Sequence, residues 1–174
     1  MRRTFYGCSS LESLDLSDFC TAYLGTVYLL SLDETFAGCS SLTSLDLSSF
    51  VTSKLQGMSE TFSGCSSLTS LNLSNFVTPM VTDMTGLFSG CSSLESLDIS
   101  GFDTSSVTSM TGMFDGCEKL TTVSLGNGFS FKGAGNDVQT AFPEGNWFSA
   151  RDCQVYTSQQ IAENRNNMAD TYML

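Results

Sequence analysis

Histidine is absent from this chain of 174 residues, and basic side chains are few. Seven Lys and Arg residues stand against 18 Asp and Glu residues, which gives a net charge of −11 at pH 7. Binding to nucleic acid needs clustered Lys and Arg, and anionic membrane surfaces attract basic segments. The composition therefore argues against both classes of partner.

Long apolar runs are also missing. The longest lies around residues 24–32, is interrupted by Gly25 and Thr26, and is too short to cross a bilayer. Met1 is followed by Arg2, Arg3 and a repeat unit, so no signal peptide is recognisable. Because Met1 falls on a repeat position, we interpret the sequence as a fragment without signal or anchor, and we expect it not to insert into membranes.

Motifs for catalysis are absent too. The chain has no histidine, no glycine loop that would cradle a phosphate, and no nucleophile elbow. Carboxylates paired on an open sheet would not be desolvated enough to separate their pKa values. We therefore expect no enzymatic activity and no cofactor.

The sequence does contain a repeat. Five copies of the pattern F-x-G-C are each followed by two residues, usually Ser-Ser, and then by L-x-x-L-x-L or a close variant. The last three steps between the repeat cysteines are 26 residues each, and the first is 31. The repeat cysteines are Cys8, Cys39, Cys65, Cys91 and Cys117. A segment F-x-T follows four of the leucine runs, and its phenylalanines are Phe19, Phe50, Phe76 and Phe102.

Each repeat has two parts that predict local structure. The alternation x-L-x-L indicates a short strand with one buried face. The spacing of Met84, Leu87, Phe88 and Cys91 matches one face of a short helix, which Gly90 would end. Thr82 and Thr108 precede such segments and are suited to cap them.

One such unit cannot bury its apolar side alone, whereas three or more stacked units can. The sequence therefore predicts an α/β repeat solenoid, a right-handed leucine-rich-repeat coil with a parallel sheet on one side and short helices on the other. We place the repeat array, about five repeats, at residues 1–129. The first repeat carries an insertion of about five residues between Cys20 and Leu32, which maps to a loop.

The pattern L-x-x-L-x-L is the signature of leucine-rich repeats. With the added segments F-x-G-C-S-S-L and F-x-T, residues 1 to about 129 resemble the BspA-like repeats of bacterial surface proteins, in the 26-residue variety also seen in mycoplasma lipoproteins. The usual Asn or Cys after the strand is replaced here by phenylalanine. This departure predicts a stacked phenylalanine column in place of an amide ladder.

Residues 130–174 form a predicted C-terminal capping segment. Two short aromatic runs, Trp147-Phe148 and Val155-Tyr156, suggest a β-hairpin. Thr157 and Gln160 fit a capping box, so a short helix is expected to follow them. Trp147 is a good candidate to cover the last repeat.

The cysteine column allows a metal ladder or serial disulfides, but it also fits small buried apolar side chains. Neither C-x-x-C nor histidine is present, so zinc is not expected. We favour the packing role and expect at least one free thiol, because the total of seven cysteines is odd.

The outward positions of the strands form the candidate binding site. They stack in columns on the open face that repeat proteins commonly use for binding. The candidates are Ser13, Asp15, Ser17, Ser44, Asp46, Ser48, Ser70, Asn72, Ser74, Ser96, Asp98 and Ser100. We call this set the polar strip. It is suited to basic protein segments or to weak Ca²⁺ binding, or its members are simply solvated, with Asn72 relieving repulsion between like charges.

The resemblance implies a protein-binding or adhesion module on the bacterial cell surface, with host or neighbouring-cell surface proteins or glycoproteins as partners. A structural spacer that presents other domains is the alternative, and a uniform Ser and Thr surface favours it. Because the first strand has an uncapped edge, we also expect a tendency to self-associate there.

Overall fold

A computed structural model describes residues 1–16, 18–19, 29–131, 142–164 and 169–174. Its elements are β1 (Ser13–Leu14), β2 (Ser44–Leu45), β3 (Ser70–Asn72), β4 (Ser96–Ile99), β5 (Thr122–Leu125), β6 (Asn146–Ser149), β7 (Val155–Thr157), α1 (Ser158–Asn164) and β8 (Asp170–Met173). Strands β1 and β2 form one sheet, and the other six form a second sheet in the order β3-β4-β5-β8-β6-β7. Ser17 and Cys20 lie outside the described residues, and so do residues 21–28, which hold most of the predicted insertion.

The strands of successive repeats pair in parallel and in register, because each repeat supplies the same alternating run. Leu71 is opposite Leu97, and Leu97 is opposite Val123. These three side chains point inward and are buried, whereas the residues between them face outward. The alternation thus separates an apolar interior from a polar outer face.

The predicted α/β leucine-rich-repeat solenoid, a right-handed coil with short helices opposite the sheet, is wrong. In the described ranges the protein is built from eight strands in two sheets, and the helix α1 lies in the C-terminal segment, outside the repeats. The segment from Met84 to Cys91, where a helix was expected, consists of consecutive turns. Thr82 and Thr108 therefore cap no helix; instead the Thr108 hydroxyl donates to the Thr82 carbonyl at 2.9 Å.

The backbone hydrogen bonds explain why no helix forms there. The amides of Phe88 and Gly90 donate to Met113 and Asp115 in the next repeat, at 2.9 and 2.6 Å. The amides of Ser89 and Cys91 instead donate to carbonyls three residues earlier in the same repeat and so form turns. Because alternate N–H groups donate to the next repeat, they cannot form the i to i−4 hydrogen bonds of an α-helix. The same alternation occurs in the preceding repeats.

Positive φ angles also exclude a helix in this segment. Gly86 and Gly90 have φ angles of 59° and 73°, and Glu60, which matches Gly86 one repeat earlier, has a φ of 51°. Left-handed residues cannot occur inside a right-handed helix. Space does not demand glycine at Gly90, since an added Cβ would lie in ordinary contact, 3.5 Å from the Cα of Gly64 in the neighbouring repeat.

Aromatic side chains form a continuous column through the core. Phe5, Phe36, Phe62, Phe88 and Phe114 stack with successive ring centroids 5.6–5.8 Å apart. The predicted second column is present in part, since Phe19 contacts Phe50 and Phe76 contacts Phe102.

The C-terminal segment closes the last repeat. The ring of Phe142 meets Phe114 edge-on at 5.8 Å, and the fully buried Trp147 packs on Phe142 at 4.6 Å. Strand β8 pairs antiparallel with β5 and with β6, which in turn pairs with β7. The amide of Thr157 donates to Gln160 Oε1, and the amide of Gln160 donates to Thr157 Oγ1. This reciprocal capping box begins α1.

The boundary at residue 129 and self-association through the β1 edge stay predictions.

Buried threonines link neighbouring repeats through their hydroxyl groups. The hydroxyl of Thr78 donates to the carbonyl of Asp103 at 2.9 Å and accepts from the Asp103 amide at 3.0 Å. Thr52 makes the same pair of bonds with Val77, and Thr104 makes it with Ser130. This explains the threonine of the F-x-T segment, whose role the sequence did not indicate.

We expect Thr78→Val to lower the free energy of unfolding by about 1–3 kcal/mol. The substitution keeps the shape of the side chain but removes both bonds to the Asp103 backbone, in a position where water has no access. Urea denaturation measures the effect, and Thr78→Ser, which keeps the hydroxyl group, is the matched control. Equal losses for the two variants would contradict the role assigned to the hydroxyl.

Candidate binding face

The polar strip is brought together on the outward face of the strands. Ser13 is opposite Ser44 in the β1-β2 sheet, while Ser70 is opposite Ser96 in the larger sheet. Asn72 is opposite Asp98. Asp98 is half-buried and the other described members are exposed, so most of the strip is accessible to a partner.

The acidic and amide side chains of the polar strip have a structural role. Oδ1 of Asp46, Asn72 and Asp98 each accepts a hydrogen bond of 2.9 Å from the amide two residues later. Those amides belong to Ser48, Ser74 and Ser100. This Asx turn bends the chain away at the end of each strand. Because only an oxygen acceptor is required, Asn72 replaces aspartate without loss of the turn.

The same turn affects the charge of the strip. The hydrogen bond from the Ser48 amide, assisted by the Ser48 side chain, lowers the pKa of Asp46, against a smaller opposing influence from the Asp15 carboxylate. Asp46 therefore stays ionised at neutral pH. Together with Asp15, it keeps this end of the strip negative.

A shallow groove of about 600 Å³ follows the polar strip. Its walls include Asp15, Asp46, Asn72 and Ser48, together with the residues of β1 and β2. A smaller depression of about 250 Å³ continues across β3, β4 and β5, where Asp98 and Ser124 lie. The face is thus concave enough to hold an extended chain, but it is open to solvent along its length.

Three residues of this face were not among the predicted site residues. Asn75 lines the groove and donates through its side-chain amide to the carbonyls of Leu47, Ser48 and Phe50 in the preceding repeat. Thr122 and Ser124 extend the columns into the fifth repeat. Alignment of the fifth strand with the other four would have found the last two, because Val123 and Leu125 match the inward leucines.

The cysteine column is a packing feature in the described structure. Six cysteines there are free thiols, and Cys39, Cys65, Cys91 and Cys117 are buried. Each buried thiol donates to the carbonyl of a phenylalanine in the preceding repeat, as Cys91 does to Phe62 at 3.1 Å. Burial raises the pKa of Cys65 and of Cys117 to about 12, so both stay protonated and act as weak donors.

Metal ligands do not converge on this face within the described ranges. No group of three or more Cys, Asp or Glu side chains in that part of the chain is arranged to hold an ion. The acidic members of the polar strip are spread along the columns, and the Oδ1 atoms of Asp46 and Asp98 are already engaged in turns. The arrangement is suited to many weak polar contacts with an extended partner.

Membrane-spanning helices are not found in the described ranges, where no helix is both long and apolar enough to cross a bilayer. No curated protein and no solved structure matches the chain. A family described as Mycoplasma protein of unknown function, DUF285, matches residues 30–153. This match covers most of the repeats and more than half of the sequence, and the chain therefore belongs to the DUF285 family.

Proposed function

We propose that this protein is a non-catalytic binding module of a bacterial cell surface, which attaches to proteins or glycoproteins of a host or of neighbouring cells. The observation that carries the proposal is the groove along the polar strip, where hydroxyl, amide and carboxylate groups from successive repeats line one open face. Such a surface offers regular hydrogen-bonding positions without any reactive group.

Family and composition support the proposal. The repeats resemble those of BspA-like surface proteins, and the DUF285 family to which the chain belongs is described from Mycoplasma. The net charge of −11 favours partners with basic segments, since opposite potentials attract and orient the two molecules before contact.

A structural spacer is the alternative function. It is favoured by the Asx turns, because hydrogen bonds within the chain already account for the side chains of Asp46, Asn72 and Asp98. A spacer needs these turns to shape each repeat but needs no partner on the face. The two functions therefore differ in what happens when the charge is removed while the turns are kept.

The test is binding of the immobilised protein to a panel of host extracellular proteins and mucins, at low and physiological salt. Asp15→Asn, Asp46→Asn and Asp98→Asn are introduced together, because asparagine keeps the Oδ1 acceptor, as Asn72 does naturally. The matched control carries Glu118→Gln, Glu144→Gln and Glu163→Gln, which remove three exposed charges away from the groove.

We expect saturable binding that weakens with salt, is lost in the asparagine variant and is kept in the glutamine control. Binding that is unaffected in the asparagine variant would place the contact outside the polar strip. A protein that binds nothing in the panel would act as a spacer.

A further inference from the structure

The outward face of the six-stranded sheet carries one row of side chains that crosses all six strands. The pairing register places its members in the order Ser70, Ser96, Thr122, Met173, Phe148 and Val155. The first three belong to the repeats and are small and polar. The last three belong to β8, β6 and β7 and are large and apolar, so the row changes character where the repeats meet the C-terminal strands.

The apolar half of this row is open to solvent. Met173, Phe148 and Val155 are 38%, 38% and 61% exposed, and each is the direct cross-strand neighbour of the next. We call these three residues the apolar row. Single exposed apolar side chains are normal on protein surfaces, but a contiguous group bordered by polar residues is typical of an interaction site.

Packing does not explain the apolar row. The inward side chains of the same strands, Trp147 and Tyr172, already cover the last repeat and contact Phe142. Polar β-branched residues would serve the outer face of β6, β7 and β8 equally well, as Thr157 and Thr171 do on neighbouring positions. The apolar row therefore adds nothing to the core that these inward residues form.

Charge indicates what kind of partner fits the row. A second copy of this chain, which has a net charge of −11, would be repelled. The polar half of the row lies beside the neighbouring row of the sheet, which contains Asn72 and Asp98. A partner with basic residues would be attracted to that half, while large apolar side chains of the same partner would cover the other half.

We propose that the sheet binds an extended segment of another protein that is cationic at one end and apolar at the other, with its apolar side chains on Met173, Phe148 and Val155. The inference rests on the proposed binding function and specifies its partner. With neighbouring strands roughly 4.8 Å apart, the row is about 24 Å long, which corresponds to about seven residues of extended chain.

The test uses a fluorescent peptide of about seven residues, the length of extended chain that spans the row. Phe and Leu occupy alternate positions in one half of the probe, and Lys occupies alternate positions in the other. A second peptide carries Glu in place of Lys. Fluorescence anisotropy measures the Kd of each peptide for the whole chain up to millimolar concentration, and sedimentation measures the oligomeric state.

The protein variant combines Met173→Thr, Phe148→Thr and Val155→Thr, which suit the outer face of strands. The control variant combines Val51→Thr and Val77→Thr, which are 46% and 49% exposed on a different part of the surface. Thermal unfolding establishes that each variant is folded, and Val155→Thr alone replaces the triple variant if that one is not.

We expect the Lys peptide to bind the wild type and the control equally, and the triple variant at least about tenfold more weakly, because apolar contact area is lost. The Glu peptide is expected to bind at least about tenfold more weakly than the Lys peptide.

Equal binding of the Lys peptide to the wild type and the triple variant, or no binding at all, would overturn the inference. So would dimers of the wild type that the triple variant abolishes, since the occupant would then be a second copy.

The asparagine variant of the polar strip separates the two proposals. If it keeps its binding in the panel of host proteins while the triple variant loses the Lys peptide, the apolar row is supported and the role of the strip fails. If the reverse is found, the strip is supported and the inference fails.

Discussion

Raising the pH from 8 to 10 is expected to lower the free energy of unfolding by about 4 kcal/mol through three buried thiols, at about 1.4 kcal/mol each. Desolvation raises the pKa of Cys65 and Cys117 from 9.0 to about 12, and raises that of Cys91 at least as far. In the unfolded chain the same thiols titrate near their ordinary value. Over this range the unfolded state therefore loses protons that the folded state keeps.

The sign follows from this difference in bound protons. A folded pKa that is raised leaves stability unaffected below the unfolded pKa, and stability is then lost as the pH rises toward the folded pKa. Urea denaturation at pH 8, 9 and 10 measures the loss. To isolate the contribution of one thiol, the comparison is made against Cys91→Ala, in which the pH dependence should be about 1.4 kcal/mol smaller over these two pH units. An unchanged pH dependence in that variant would show that the thiol is not buried as described.

Replacing Phe88 with alanine is expected to lower the free energy of unfolding by about 3–5 kcal/mol. Phe88 is fully buried between Phe62 and Phe114, with ring centroids 5.7 and 5.8 Å away. The truncation leaves a cavity in the middle of the column, where neither adjacent repeat can move in without breaking its backbone bonds to the next repeat.

Phe88→Leu is the matched control for this prediction. Leucine fills most of the same volume, so its cost should stay below about 1.5 kcal/mol and should reflect the lost ring stacking. Guanidinium denaturation of both variants provides the comparison. If alanine and leucine cost the same, the column does not contribute through packing volume, and the described core would need revision.

Much of the repeat could be predicted from its sequence. Inward residues such as Leu71 and Leu97 follow from strict alternation, and their parallel pairing follows from the constant period. The reciprocal bonds of Thr157 and Gln160 follow from a short local motif. These features depend on periodicity or on neighbouring residues, which a sequence displays directly.

The prediction of a helix was wrong because the same spacing of apolar residues is compatible with two backbone conformations. Consecutive turns also place Met84, Leu87, Phe88 and Cys91 on the buried side. The sequence did contain a warning, since Gly86 lies inside the expected helix, where glycine is unfavourable. Its φ of 59° shows why glycine is suited to that position.

The binding face could be predicted only in part. The columns of the polar strip follow from alternation, but the Asx turns depend on how each strand ends. The apolar row depends on the antiparallel register between Phe148, Val155 and Met173. The pairing of Phe148 with Val155 belongs to the predicted hairpin, but Met173 comes from a later segment of the chain, and no periodicity relates it to Phe148.

The most direct test of this architecture is an NMR measurement of scalar coupling across the hydrogen bond of the Phe88 amide. The described structure predicts coupling to the carbonyl of Met113, 2.9 Å away in the next repeat. A helix would instead place the carbonyl of Met84, four residues earlier, at this amide. Coupling to Met113 would establish that alternate amides join the repeats, whereas coupling to Met84 would contradict the account and the binding face built upon it.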